Sequence, residues 1–169
     1  MLIRLAQIED IPEVWNISQT WYDPIYQENS ADGFLFGEPY TEQELELITK
    51  NGDMAVACKN KEIVGFFLLD NSTANKTTLN YIQHLAKIDG ISLSGSICPR
   101  AQIAIKKEYQ NQGISISLTQ FLKSKASSRY DLIYSLVSKI NPKMEVYTKS
   151  GWHLVSETDK AFIVALKVN

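Results

Sequence analysis

Hydrophobic and polar positions along the chain follow two periods, and their order sketches the elements. Leu2–Ala6 alternates apolar and polar residues and reads as a strand. Val14, Ile17, Ser18 and Trp21 then recur at helical spacing, with Asp10 placed as a cap and Pro12 in the first turn. After Tyr22–Tyr26 comes a loop rich in aromatics, with Phe34, Phe36 and Tyr40. Thr41 and Glu44 form a capping box for a second helix, which Asn51-Gly52 should end. Met54–Lys59 and Glu62–Leu69 predict a hairpin about Asn60-Lys61. Leu79, Ile82, Leu85 and Ala86 predict a helix over 76–87, followed by a Gly- and Ser-bearing loop over 88–96. Ala101–Ile105 alternates like a short strand, and Ile114, Leu118, Phe121, Leu122 and Lys125 predict a long helix starting near Gly113. Leu132–Val137 is a strongly apolar strand. Asn141 with Pro142 then starts a helix that Gly151 ends, and Trp152–Glu157 and Ala161–Lys167 read as closing strands.

Composition narrows the class. A chain of 169 residues with 44% apolar and 21% charged residues is expected to be one domain spanning 1–169 with a single good core. No run of about 18 apolar residues is present, so no membrane span is expected. The start, Met1 to Gln7, lacks the basic and apolar pattern of a secretory signal, which implies a cytoplasmic protein. Cys58 and Cys98 stand far apart and read as two reduced thiols. With only His84 and His153 besides, no metal site is expected. A net charge of −2 argues against nucleic acid as a partner. The charge is uneven: residues 1–99 carry 6 basic and 14 acidic residues, and residues 100–149 carry 9 and 3.

The basic part holds the most informative stretch, Gln110-Asn111-Gln112-Gly113-Ile114-Ser115, between strand and helix. A turn that opens a helix leaves backbone N–H groups pointing outward at the positive end of the dipole, a site for phosphate. Gly113 permits close approach of the backbone, and Ser115 is small. Gln110-x-x-Gly113-x-Ser115 resembles the Gln/Arg-x-x-Gly-x-Gly/Ala pyrophosphate loop of the GNAT superfamily of N-acetyltransferases, which bind acetyl-coenzyme A. Ser115 departs from the usual Gly or Ala, and Asn111 stands where Gly is common; Asn tolerates the left-handed conformation. A second stretch, Asn141 to Trp152, is similar to the family's Asn-x-x-Ala-x-x-x-Tyr-x-Lys-x-Gly-Phe segment. Asn141, Tyr147, Lys149, Gly151 and Trp152 match it, with Met144 for Ala and Trp152 for Phe.

The resemblance covers almost the whole element order, with residues 71–100 as the misfit. It implies an α/β (α+β) fold with a mixed, mostly antiparallel central sheet flanked by helices. The extra helix around 76–87 would be either part of the acceptor end or a structural flap. The sheet would splay where coenzyme A enters, between the strands Ala101–Ile105 and Leu132–Val137. The implied activity is transfer of an acetyl group from acetyl-CoA to a primary amine by direct attack in a ternary complex. Tyr147 would be the general acid. The implied cofactor contacts are Ile103, Ala104, Ile105, Gln110, Asn111, Gln112, Gly113, Ile114, Ser115, Asn141 and Lys149. The acceptor, a small molecule or a peptide, would meet Trp21, Tyr22, Glu28 and His84.

Relatives often carry a Glu on the strand before the phosphate loop; here that strand offers only Gln102 as an inward polar residue. Glu108 lies in the turn, His84 and Glu28 are candidate bases by placement, and a water chain is an equal alternative. A coenzyme A-binding regulatory module without turnover, or an enzyme acting on a protein N-terminus or aminoacyl group, are the other readings. Glu28, Asp32, Glu38, Glu42, Glu44 and Glu46 fall with the aromatics of residues 21–40. They are either a rim that draws a cationic acceptor or a solvated helix face over an aromatic cluster. A monomer or a homodimer fits equally.

Overall fold

The structure is a computed structural model that describes residues 1–22, 35, 39–72, 83, 85, 87, 97–141 and 144–168. Two four-stranded sheets form its frame. In the first, β1 (Leu2–Leu5), β2 (Met54–Lys59), β3 (Glu62–Asp70) and β5 (Arg100–Ile105) lie in that order, every pair antiparallel. In the second the order is β4 (Ile97–Cys98), β6 (Leu132–Ser138), β8 (Ala161–Lys167) and β7 (Trp152–Glu157). There β4 runs parallel to β6 and the other pairs are antiparallel.

The helices explain why β3 is apolar at successive positions. Its residues Ile63 to Asp70 are all buried, because both faces of the sheet are covered. On one face Phe67 and Leu69 pack with Ile114, Leu118 and Leu122 of α3 (Ile114–Ala126). On the other, Phe66 and Leu68 pack with Val14, Ile17 and Trp21 of α1 (Ile11–Trp21) and Leu45 and Ile48 of α2 (Glu42–Lys50). The hairpin between β2 and β3 turns on Asn60 and Lys61, at φ 52° and 70°, as a two-residue turn of this hand requires. A bulge at Ala57/Cys58 lets Val64 slip out of the ladder.

The capping box of α2 forms as expected: the Thr41 hydroxyl accepts from the Glu44 N–H at 3.3 Å and the Thr41 N–H donates to the Glu44 carboxylate at 2.8 Å. Asp10 does not cap α1. Its carboxylate accepts from both guanidinium nitrogens of Arg4, at 2.6 and 2.9 Å, and from the Gln7 N–H at 2.7 Å. Asp10 thereby closes a 3₁₀ turn, Ile8–Asp10, that precedes α1. Of the helix expected over 76–87, only residues 83, 85 and 87 are described; Gln83 and Leu85 are helical. Leu85 is buried against Tyr134, Ile163 and Ala165. The loop over 88–96, most of the aromatic loop and Pro142 lie outside the described residues.

One feature of this frame makes room for a ligand. Only Pro99 separates β4 from β5, so β5 enters alongside β6, running the same way. Yet the two strands belong to different sheets and do not pair. A side-chain bond joins them, from the Ser135 hydroxyl to the Ala101 carbonyl at 2.8 Å. Beyond it the gap is open.

Candidate active site

Past Ser135 the gap widens into a cleft of about 350 Å³. Its walls come from β5 (Ile103, Ala104, Ile105), from the loop and first turn of α3 (Gln110, Asn111, Gly113, Ile114, Ser115, Ile116) and from Asn141, Val146 and Tyr147. Trp21, Leu35 and Tyr109 close one side. The backbone of β5 supplies hydrogen bonds here by alternation. The Lys106 N–H donates inward to the Val64 carbonyl of β3 at 2.9 Å, while the Ala101 carbonyl faces β6. Peptide groups alternate sides along an antiparallel strand, so the N–H and C=O of Ile103 and Ile105 face the cleft.

At the other end, the helix α3 begins without a side-chain cap. Gly113, its N-cap, sits at φ 74° and makes no capping bond. A Cβ there would meet nothing within 4 Å, so the backbone at this point borders open space. The first recurrent bond of the helix runs from the Ser117 N–H to the Gly113 carbonyl at 3.1 Å, which leaves the amides of Ile114, Ser115 and Ile116 ahead of any intrahelical acceptor. Asn111 precedes at φ 61°, the left-handed conformation that Asn tolerates. Orphan amides, a positive dipole end and an open approach make an anion site.

Tyr147 stands in α4 (Met144–Lys149), at the junction of this cleft with two smaller cavities. Its ring meets Trp152 edge-on, centroids 6.0 Å apart, and Trp152 in turn leans on Phe67 at 6.4 Å. That stack fixes the phenol from behind. Burial pushes its pKa up to about 12, so the hydroxyl keeps its proton at neutral pH.

Most of the expected residues are thus brought together: Ile103, Ala104, Ile105, Gln110, Asn111, Gly113, Ile114, Ser115, Asn141, Tyr147 and Trp21. Two are not. Gln112 is exposed and turns back toward the Glu108 carbonyl at 3.4 Å. Lys149 is exposed on α4 and pairs with Glu145, one turn back, at 3.2 Å. Tyr22 is buried behind the cleft wall and bonds Gln102. Glu28 and His84 lie outside the described residues.

Arg100 and Ser135 escaped the sequence reading. Both line a small cavity next to Tyr147, and their signal is a polar residue inside an apolar strand. Arg100 is almost wholly buried, with its guanidinium 5.0 Å from the centre of the Tyr40 ring. The acidic rim fares differently. Among the described residues, Glu44 closes the cap of α2 and Glu46 pairs with Lys50 at 2.9 Å. No described carboxylate or imidazole lines the large cleft. Part of the basic excess is also spoken for, since Lys106 bonds Glu13 at 2.6 Å and Glu62 at 2.7 Å. Among the described residues no cluster has the makings of a metal site, and no helix is long and apolar enough to cross a membrane.

No protein-family model matches the sequence, and no curated protein matches it by sequence. Solved structures do. An N-acetyltransferase from Staphylococcus aureus Mu50 superposes with a TM-score of 0.66, at 17% identity, over 99% of this chain and 98% of that one. A Salmonella typhimurium protein solved with its cofactor acetyl-CoA gives 0.67 at 10% identity, over 100% and 94%. The ribosomal-protein-alanine N-acetyltransferase of Brucella melitensis gives 0.65 at 14% identity, over 99% of both chains. The chain has the fold of the GNAT-type N-acetyltransferases.

Proposed function

We propose that the chain, as one domain over residues 1–169, is an N-acetyltransferase that takes acetyl-CoA as acyl donor and a primary amine as acceptor. One observation carries this reading. The unpaired edge of β5, the uncapped start of α3 and Tyr147 all open on the same cleft.

The residues fit the donor part by part. The amides of Ile114, Ser115 and Ile116 suit a pyrophosphate, with Gly113 and Asn111 shaping the turn. The peptide groups of Ile103 and Ile105 would pair with the pantetheine arm, and an N–H of that edge would polarise the thioester carbonyl. Asn141 borders the same point. The amine nitrogen attacks the thioester carbon, the C–S bond breaks, and the departing sulfur takes a proton. The Tyr147 hydroxyl borders the same cleft and keeps its proton at neutral pH, so it would hand that proton to the sulfur as the C–S bond breaks. The attacking amine loses a proton to water, because no described side chain of the cleft is a base, and solvent returns a proton to Tyr147 to close the cycle.

That missing base favours one second reading, a coenzyme A-binding regulatory module with weak turnover. Thiol release from acetyl-CoA separates the two. Across a panel of amines and peptides, the enzyme should release thiol with at least one acceptor. Tyr147→Phe should lose turnover on the order of a hundredfold while still binding the donor. Binding without release for any acceptor would leave the regulatory reading.

A further inference from the structure

Behind the acyl end of the cleft lies a cavity of about 20 Å³, room for one oxygen atom and little more. It shares Ile103, Asn141 and Tyr147 with the large cleft, so it abuts the point where the acid stands. Gln102 of β5 lines it and is 6% exposed. Its carboxamide is held at one end only. The Tyr22 hydroxyl donates to Gln102 Oε1 at 3.2 Å. That bond orients the amide, with Oε1 toward Tyr22. Gln102 Nε2 is then left buried with no acceptor. A buried donor without a partner costs about 1–3 kcal/mol, so such a group in a native site calls for a ligand.

Arg100 also lines this cavity. Arg100 sits directly across from Asp70 in the ladder, and Asp70 accepts from the Tyr40 hydroxyl at 2.9 Å. The free N–H group of Gln102, in a cavity that Arg100 also lines, is matched to a carbonyl or carboxylate oxygen.

Building on the acetyltransferase reading, we propose that Gln102 selects the acceptor by donating to an oxygen on the carbon next to the amine-bearing one. The acceptor class is therefore amines with an adjacent carbonyl or carboxylate, namely amino acids and the first residue of peptides, rather than plain alkylamines. Tyr22 is a positioning residue that acts through Gln102.

The test compares kcat/KM for three acceptors of similar size: an amino-acid amide, the free amino acid and an alkylamine without the carbonyl. The unaltered protein should prefer one or both carbonyl-bearing acceptors by about 10- to 100-fold, the range that one unpaired buried donor implies. The amide and the acid then distinguish a neutral carbonyl from a carboxylate. Gln102→Met should erase the preference, bringing the ratio close to one, while an acetyl-CoA-dependent rise in melting temperature shows that it folds and binds donor. If Gln102→Met does not fold, Tyr22→Phe serves, because it frees the amide to turn; KM for the carbonyl-bearing acceptor should rise several-fold with kcat nearly unchanged. A protein indifferent to the carbonyl, or a preference that survives in Gln102→Met, overturns the role of Gln102 and leaves acetyl transfer standing. Absence of thiol release with every acceptor overturns both.

Discussion

At the scale of single residues, the acid role proposed for Tyr147 implies a pH dependence with a definite sign. A general acid works only while protonated, and burial has moved the Tyr147 pKa up to about 12. Its contribution should be complete below that value and fall as pH rises through it. Turnover should accordingly show no alkaline decline from Tyr147 between about pH 7 and 10. A descending limb near pH 9 that vanishes in Tyr147→Phe would contradict the assigned shift. Tyr147, Gly113 and Asn111 were legible in the sequence because each sits at a fixed offset within a local motif. Gln102 and Arg100 were harder to read. Their meaning depends on which face of β5 meets α1 and α2, and on Tyr22 and Tyr40, distant in sequence, closing over that face.

At the scale of elements, two contacts hold the walls of the cleft in place. Gly65 of β3 lies opposite Ile105 in the ladder. A Cβ on Gly65 would come within 2.5 Å of the Ile105 side chain and 2.9 Å of the Ala104 carbonyl, so β3 and β5 approach closely only because this residue is glycine. Gly65→Ala should push β5 toward the cleft, destabilise the fold by about 1–3 kcal/mol and weaken donor binding. Denaturant unfolding with and without acetyl-CoA reads both effects, and an unchanged midpoint would refute the close fit.

A second contact fastens α2. Arg129, just after α3, forms an ion pair with the Asp53 carboxylate at 2.6 Å and donates to the Asn51 and Gly52 carbonyls at 3.3 and 3.4 Å. Burial raises the Asp53 pKa, and Arg129 opposes the rise. In Arg129→Ala the ionised carboxylate is left buried without its cation, at roughly 1–3 kcal/mol for a pair that is only part-buried. Because the folded pKa lies above the unfolded one, stability falls as pH rises through that interval, and more steeply in the variant. The deficit relative to the parent should be largest near neutral pH and shrink toward pH 4 in urea unfolding; a deficit independent of pH would mean that Arg129 acts by packing alone. The sequence pattern marked the helices and strands on either side but not this clasp, which joins residues far apart in the chain.

At the scale of the whole molecule, the order of elements followed from periodicity. The parting of the sheet did not; only the family resemblance implied it, because it depends on a contact that is missing. Nothing in the apolar runs Ala101–Ile105 and Leu132–Val137 says that they lie side by side unpaired. The short strand β4 and the Ser135–Ala101 bond settle it. The cleft is therefore a place where β5 and β6 part, although one core packs the two sheets together. A ligand that bonds the edge of β5 and the start of α3 together completes this junction, and such a ligand stabilises the folded state by mass action. Acetyl-CoA at about 100 times its dissociation constant should add about 2.7 kcal/mol, which for a chain of this length corresponds to a rise of roughly 5–10 °C in melting temperature. Gly113→Glu should remove the rise, since it strains a left-handed position and brings a negative charge to the open space where phosphate would lie. Thermal unfolding of parent and variant, with acetyl-CoA at millimolar concentration, decides it. If the parent's melting temperature does not move, the cleft is not a coenzyme A site and the acetyltransferase reading falls with it.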